Sequence, residues 1–316
     1  MGVGHGHGQG TTAQSDERWL RGAFAVIVVF MAGEVVVGVV AQSLALISDA
    51  AHMLTDAASI ALALWAIRLS AKPAAGRMTY GWKRAEILSA QANGLTLLLL
   101  GAWLAYEAIR RLIAPPEVAG GLVLVTALVG VVVNLAATWM ISKANRTSLN
   151  VEGAFQHILN DLFAFIATAV AGLVMVLTGF ARADAIASLI VVVLMVKAGI
   201  SLVGASSRIF LEAAPAGLNP DEIGQAMAVR PHVAEVHDLH VWEITSGQPA
   251  LSAHVLVAPG QDCHAVRTDL ATVLTDAYDI EHATLQIDHV TPGISRPGPG
   301  HCEDSHGPTH QGTIPQ

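Results

Sequence analysis

The stretch FQHILNDLFAFIATAVAGLVMVLTGF, Phe155–Phe180, is apolar throughout except near its start, where His157 and Asp161 stand one helical turn apart. It is longer than the ~20 residues a helix needs to cross a ~30 Å hydrocarbon core, so it reads as a membrane span with two ionisable groups inside it. Five runs of the same kind accompany it: Gly22–Ala41, Leu44–Leu69, Ile87–Ala108, Leu122–Ile141 and Ala185–Val203. Each is continuous, not alternating, which excludes a porin-type barrel. Among these five, Leu44–Leu69 repeats the pattern with His52 and Asp56.

Composition agrees. Of 316 residues 53% are hydrophobic and 13% charged, against about 25% charged in an ordinary soluble domain, and the mean hydropathy is +0.53. That excludes an ordinary cytosolic enzyme. A net charge of -8 offers no basic field for nucleic acid, which is not expected as a partner. The two cysteines, Cys263 and Cys302, make no disulfide framework and fit a reducing cytosolic face. No basic n-region or small-residue cleavage pattern attends the first run, so it reads as a retained span.

Six spans place both termini on one side of the lipid bilayer. Arg18 and Arg21 precede the first span, Arg68, Lys72, Arg77, Lys83 and Arg84 fill the second-to-third loop, and Lys143 and Arg146 follow the fourth. The opposite loops hold Arg110, Arg111 and Arg182. The bias sets the termini in the cytoplasm, with the cytoplasmic (inner) membrane of a bacterium as the expected location. From Arg208 the composition turns soluble: a helix opened by Asn219-Pro220-Asp221-Glu222, strands at His237–Ile244 and Leu251–Val257, a helix at Cys263–Tyr278 and a strand at Ala283–Val290. The expected fold is therefore a polytopic α-helical membrane protein with a C-terminal cytosolic α+β domain of ferredoxin or metallochaperone type. Its expected division is 1–18, a disordered Gly/His start; 19–207, the six-helix transmembrane domain; 208–291, the cytosolic domain; and 292–316, a disordered His/Pro tail.

On a helix, positions i and i+4 share a face. His52 with Asp56, and His157 with Asp161, each project an imidazole and a carboxylate together, and two such helices face to face supply two nitrogens and two oxygens to a tetrahedral ion such as zinc. Two carboxylates balance a dication, which reduces the cost of burying it. An ionisable residue at mid-bilayer costs ~2.5–3.5 kcal/mol, an expense that packing alone does not explain. A single pair is as readily an intrahelical hydrogen bond or a proton relay; two copies in different spans point to a divalent-metal site. All four ligands are protonatable, so loading releases protons, which suits exchange of metal for protons. The ligand set fits Zn²⁺, then Co²⁺ or Ni²⁺, and the lack of intramembrane thiolate argues against Cu(I).

Glu34, Ser43–Leu46, the run Ser48–Asp56, the loop Thr79–Leu88, and Asn150–His157 with Asp161 resemble the cation diffusion facilitator family. The likeness is strongest to its bacterial zinc/cadmium/cobalt exporters and vertebrate vesicular zinc transporters, and it spans Trp19–Val290. It implies a homodimer of six-span protomers, each with a cytosolic metallochaperone-like domain, exporting Zn²⁺ from the cytoplasm against protons by alternating access. It matches His52, Asp56, His157 and Asp161 to the transport ligands, and His237, His254 and Asp288, with His282, to cytosolic metal positions where Zn²⁺ acts as a regulatory ligand. Gln286 stands where some relatives have histidine, which puts a binuclear cytosolic site in doubt. The loop Arg77–Arg84 lacks the histidines of certain relatives, so no third site is expected there.

Bland readings stand beside these. Asp49, Glu34 and Asp184 suit helix caps or cavity walls, and Asn134 and Gln91 suit hydrogen bonds between spans. Lys83, Arg84 and Glu86 suit an ion-pair region. His5, His7, His301, Cys302, Glu303, Asp304, His306 and His310, in the two ends, suit weak metal capture, and Cys263 and His264 suit a minor site. Rival functions are a membrane metal sensor that binds without transport, and an intramembrane metallohydrolase, for which the chain lacks H-E-x-x-H.

Overall fold

Helix after helix fills the first part of the chain: α1 (Gln9–Val40), α2 (Leu44–Ser70), α3 (Ala85–Ile113), α4 (Gly120–Ile141), α5 (Leu149–Thr178) and α6 (Ala183–Phe210). The computed structural model describes residues 9–40, 44–114, 120–144, 146, 148–180, 182–290 and 307–312, without the side chains of 9–16, 34, 37–40, 44–53, 55, 56, 120, 122, 123 and 184. Contacts divide the chain into two units, Met1–Ser207 and Arg208–Gln316.

The six apolar runs correspond to α1–α6, and several helices outrun their runs at the polar ends. Hydropathy marks only the turns immersed in hydrocarbon, whereas the backbone stays helical until something caps it. Ser148 caps α5 by accepting a hydrogen bond from the Val151 N–H at 3.3 Å. Residues 9–18, expected within a disordered start, instead continue α1. There Glu17 binds Arg21 one turn on (2.5 Å) and Arg68 at the end of α2 (2.7 Å), which ties these polar turns to a neighbouring helix. His5 and His7 lie outside the described residues.

Among the described residues, Ala85–Ile113, Leu124–Ile141, Leu149–Thr178 and Ala185–Phe210 are each long and apolar enough to cross a membrane. Leu99, Val132 and Leu177 are about 70% exposed on these helices, an arrangement that lipid solvates and water would not. Inside, α5 touches α2, α3 and α4. One core joins Leu20 and Ile27 of α1, Ile60 of α2, Ile141 of α4 and Val151 and Ile158 of α5. Glycines set the closest approaches: Gly130 lies under the Phe165 ring, and a side chain at Gly94 would stand 3.2 Å from the Gly199 carbonyl. Asn134, expected between spans, donates instead to Gly130 O of its own helix at 3.1 Å.

The second unit has the expected helix-strand-strand-helix-strand order: α7 (Pro220–Ala228), β1 (Val233–Glu243), β2 (Pro249–Val257), α8 (Cys263–Tyr278) and β3 (His282–His289). Asn219 and Asp262 cap the two helices through their side-chain oxygens. Strands β1 and β2 pair antiparallel, and β2 and β3 pair parallel through the α8 crossover. Leu251, Ala253, Val255 and Val257 turn one face of β2 into a core with Ile223, Met227, Leu270 and Leu274. The alternate residues of β2 and β3 therefore line the other face.

One element departs from expectation. Part of the segment expected to be a disordered tail forms β4 (His310–Gln311), which pairs antiparallel with β1 and gives the sheet the order β3-β2-β1-β4. An open strand edge is a template for any extended segment, and composition does not reveal that the chain supplies its own.

Candidate metal centres

The capped start of α5 carries the described half of the intramembrane motif. His157 is 1% exposed, and its Nε2 lies 3.8 Å from Asp161 Oδ2 one turn on. Two ligands at tetrahedral angles on zinc, with bonds of about 2.0–2.1 Å, stand roughly 3.3 Å apart. A side-chain adjustment of about half an ångström therefore brings this pair to ligation distance.

One hydrogen bond fixes how α2 meets this helix: Asn150 Nδ2 donates to Ala63 O at 2.9 Å. The helices continue from it through Ala57 and Ile60 on α2 and Ala154 and Ile158 on α5, all in one core. Asp56 is seven residues before Ala63 and His157 seven after Asn150; His52 is eleven before and Asp161 eleven after. Seven and eleven residues are close to two and three whole turns at 3.6 residues per turn. All four positions thus fall on the stripe that holds this bond. The side chains of His52 and Asp56 lie outside the described residues, as do those of Glu34, Asp49 and Asp184, and among the described residues no three His, Cys, Asp or Glu are placed closely enough to hold a metal ion as they stand.

Sequence reading gave no role to Glu152, Gln156, Asn160, Ser89 or Asn93 around this half-site, and placed Glu86 in an ion-pair region. Gln156 donates to Glu152 at 2.6 Å, Asn160 donates to Gln156 O at 2.7 Å, and Arg146 pairs with Glu152 at 2.9 Å. On α3, Glu86 accepts from the Ser148 hydroxyl. Ser89 and Asn93 are buried there, with no hydrogen-bond partner for Ser89 Oγ or Asn93 Nδ2 among the described residues. Asn93 Nδ2 is 3.6 Å from where a Gly153 side chain would begin, one turn before His157. The spacing of Glu152, Gln156 and Asn160 by four in an apolar segment was the available signal.

In the second unit His237 and His254 are cross-strand partners on the face of the sheet away from the core. Their rings stand edge to face with centroids 5.5 Å apart. An irregularity in register between His237 and His240 leaves Asp238 at φ 52°, a left-handed conformation that Asp tolerates better than most residues. Its carboxylate lies 2.9 Å from His240 Nε2 and 3.8 Å from His254 Nε2. Glu235 Oε1 lies 3.0 Å from His237 Nδ1. Neither acid was foreseen, although both neighbour His237 in sequence.

Across β2 and β3, Gln286 sits opposite His254 and Asp288 opposite Leu256, and Gln286 donates to Asp288 at 2.9 Å. His282 is opposite Ala250, four residues from His254 along the strand direction and so roughly 13 Å away. The fold brings His237 and His254 together, sets Asp288 one pleat along on the same face, and holds His282 apart. Cys263, first residue of α8, has its Sγ 3.6 Å from His289 Nε2. His301, Cys302, Glu303, Asp304 and His306 lie outside the described residues.

Residues 20–211 match the cation efflux transmembrane domain and residues 215–290 the cytoplasmic domain of cation efflux proteins. The chain belongs to the cation efflux family. It is a multi-pass membrane transporter, not an enzyme, and its second unit is the family's cytoplasmic domain. Metal cation efflux system protein CzcD of Cupriavidus metallidurans is 35% identical over 292 residues, covering 91% of this chain and 90% of that protein. Zinc transporter ZitB of Escherichia coli K12 is 35% identical over 303 residues, covering 92% and 95%. The cadmium, cobalt and zinc/H(+)-K(+) antiporter of Bacillus subtilis 168 is 36% identical over 289 residues, covering 91% and 88%.

Proposed function

We propose that this cation efflux protein carries divalent cations, zinc foremost, out of the cytoplasm in exchange for protons, with His52, Asp56, His157 and Asp161 as ligands of the transported ion. The observation that carries the reading is the Asn150–Ala63 bond between α5 and α2. Counted from it, position 56 is level with position 157 and position 52 with position 161, so each histidine position is level with the other helix's aspartate position. The names of the zinc transporter and of the cadmium, cobalt and zinc/H(+)-K(+) antiporter include this cargo, and the second includes protons among its counter-ions.

Charge accounts for the coupling. Two carboxylates and two neutral imidazoles around a dication are neutral overall, and the emptied site regains neutrality by taking up protons. A site that lost its metal without protons would leave two carboxylates buried without countercharge, which is costly. The polar residues Glu152 and Gln156 on α5, with Ser89 and Asn93 on α3, give a hydrated cation donors and acceptors between the helix start and His157.

Both termini are cytoplasmic, in the inner membrane of a bacterium. The opposing arginines fit this orientation, since Arg110 and Arg111 pair with Glu107 (3.3 and 3.1 Å) and Arg182 donates to Leu112 O at 2.9 Å. The protein acts as a homodimer. His237 and His254, with Asp238 and Asp288 nearby, bind a regulatory metal on the cytoplasmic domain, with His282 outside that set.

The test is zinc uptake into proteoliposomes under an imposed pH gradient, comparing the unaltered chain with Asp161→Ala. Flux that follows the gradient and vanishes in the variant is expected. Flux that survives in Asp161→Ala refutes the ligand assignment, and zinc binding without any flux refutes transport in favour of a sensor.

A further inference from the structure

Two glycines and one carboxylate link the end of the chain to the cytoplasmic histidine pair. His310 of β4 is buried, and its imidazole occupies the space that a side chain at Gly224 of α7 would fill. Gly224 is mid-helix, where glycine is unfavourable relative to alanine, and the seated ring gives it a reason. Gly312 donates to Ala234 O at 2.8 Å, and a side chain there would run into the carbonyl oxygens of Val233 and Ala228. The seat is thus shaped at both of its tight points.

Between these anchors, Gln311 pairs with Glu235 in the β1–β4 register, and its Nε2 donates to Glu235 Oε2 at 2.9 Å. The other oxygen of the same carboxylate lies 3.0 Å from His237 Nδ1. A carboxylate at one imidazole nitrogen keeps the proton there, turns the other nitrogen toward a metal and raises its basicity. Glu235 therefore stands between the docked strand and a histidine of the cytoplasmic pair, hydrogen-bonded to the strand through one oxygen and within ion-pair distance of the imidazole through the other, where a small ring rotation would complete the bond.

We infer that the segment 307–312 is a detachable fourth strand that positions Glu235 on His237, so that docking of the strand and metal binding at His237 and His254 strengthen each other. The inference rests on the reading of that pair as a metal site. Detachment is feasible because β4 is two residues long and His310 Nε2 is buried with no hydrogen-bond partner among the described residues, a loss that water makes good on release. Coupling between two binding events is reciprocal. Whatever factor the docked strand adds to zinc affinity, zinc adds to docking.

The test uses purified full-length protein in detergent and two readings. Zinc is titrated against a chromophoric chelator, and the cytoplasmic component is the part lost in His237→Ala/His254→Ala. Hydrogen exchange of the amides of 233–237 and 307–312 reports docking. Gly312→Val and Gly224→Val, which block the seat from either side, should free those amides and weaken the cytoplasmic component about tenfold, the low end for loss of an outer-shell partner. Zinc should slow exchange in the unaltered chain by a similar factor. Glu235→Ala should weaken zinc binding as much as the glycine variants do.

Freed amides with unchanged zinc affinity overturn the linkage. Equal exchange in the unaltered chain and Gly312→Val shows that the strand is not docked, which also overturns it. If His237→Ala/His254→Ala removes no zinc component while the amides stay protected, the metal reading of the pair has failed and the linkage falls with it. That outcome differs from the other two in leaving the strand in place.

Discussion

Replacing Asp161 by Asn keeps the size and an oxygen ligand of the side chain while removing its charge, so it isolates the electrostatic part of cation binding. With the carboxylate, the loaded site is neutral; without it, the site keeps one positive charge inside a helix bundle. Two unit charges 4 Å apart interact by about 4 kcal/mol at an effective dielectric constant of 20, and Asp161 sits 3.8 Å from His157 with its side chain 21% exposed. A dication doubles the attraction, while the retained amide oxygen returns part of it, so about 4 kcal/mol is a working figure. At 1.4 kcal/mol per tenfold this is about a thousandfold loss of zinc affinity. The assay is zinc titration of full-length Asp161→Asn in a background lacking His237 and His254, at about pH 6 and about pH 8, bracketing the imidazole range. Fewer protons should be released per zinc than in the same background with Asp161, because the amide does not titrate. An affinity within about threefold of that control, or unchanged proton release, refutes Asp161 as a charged ligand.

Asn150→Ala removes the bond that registers α2 on α5 and should lower stability in detergent by roughly 1 kcal/mol, near the modest worth of such bonds; an unchanged thermal midpoint argues against that bond. Gly153→Ala should transport normally, since its nearest neighbour is 3.6 Å away, whereas Gly153→Leu should fail by displacing Asn93; equal flux in both would show that this packing does not matter. In the cytoplasmic domain the hydrogen bonds from Arg230 (2.8 and 2.5 Å), then its charge, hold the Asp269 carboxyl below its usual range. Its folded pKa lies below the unfolded one, so the stabilisation is complete above the unfolded value of about 3.9 and is lost as pH falls through the folded value. Both partners are 38% exposed, which limits the effect to about 1 kcal/mol or less. Asp269→Asn should therefore unfold slightly earlier than the unaltered chain at neutral pH, and the gap should narrow as the pH falls below about 3.9; a gap of unchanged size in acid contradicts the assignment.

The parts of the fold that were legible depend on information close together in the chain. An apolar run longer than the bilayer is thick needs no partner to be recognised, so α3, α5 and α6 follow from single segments. The caps Ser148, Asn219 and Asp262 act within three residues and bound their helices where polar side chains already stood. Helix α8 spans Cys263–Tyr278, as its periodicity predicts. Strand β4 was not legible, because its partner β1 lies more than sixty residues away and two residues carry no periodicity. Gly224 in α7 and Gly312 record the fit, but a glycine in sequence does not say which ring or carbonyl comes near it.

The same distinction separates the two proposed metal centres. A motif at i and i+4 declares its geometry, because any helix puts both side chains on one face, and the proposed intramembrane ligands come as two such motifs. What sequence withholds is the relation between the helices, and one hydrogen bond, Asn150 to Ala63 O, supplies it. The cytoplasmic histidines depend instead on register. His237 and His254 meet because β1 and β2 pair at that step, and Asp238 enters only through the irregular register beside it. A shift of one residue would send every one of these side chains to the core face, where buried imidazoles and carboxylates are costly. The proposed cytoplasmic centre and the hydrophobic core on the opposite face are thus two consequences of one strand register, and a variant that slips the register should lose metal binding and domain stability together.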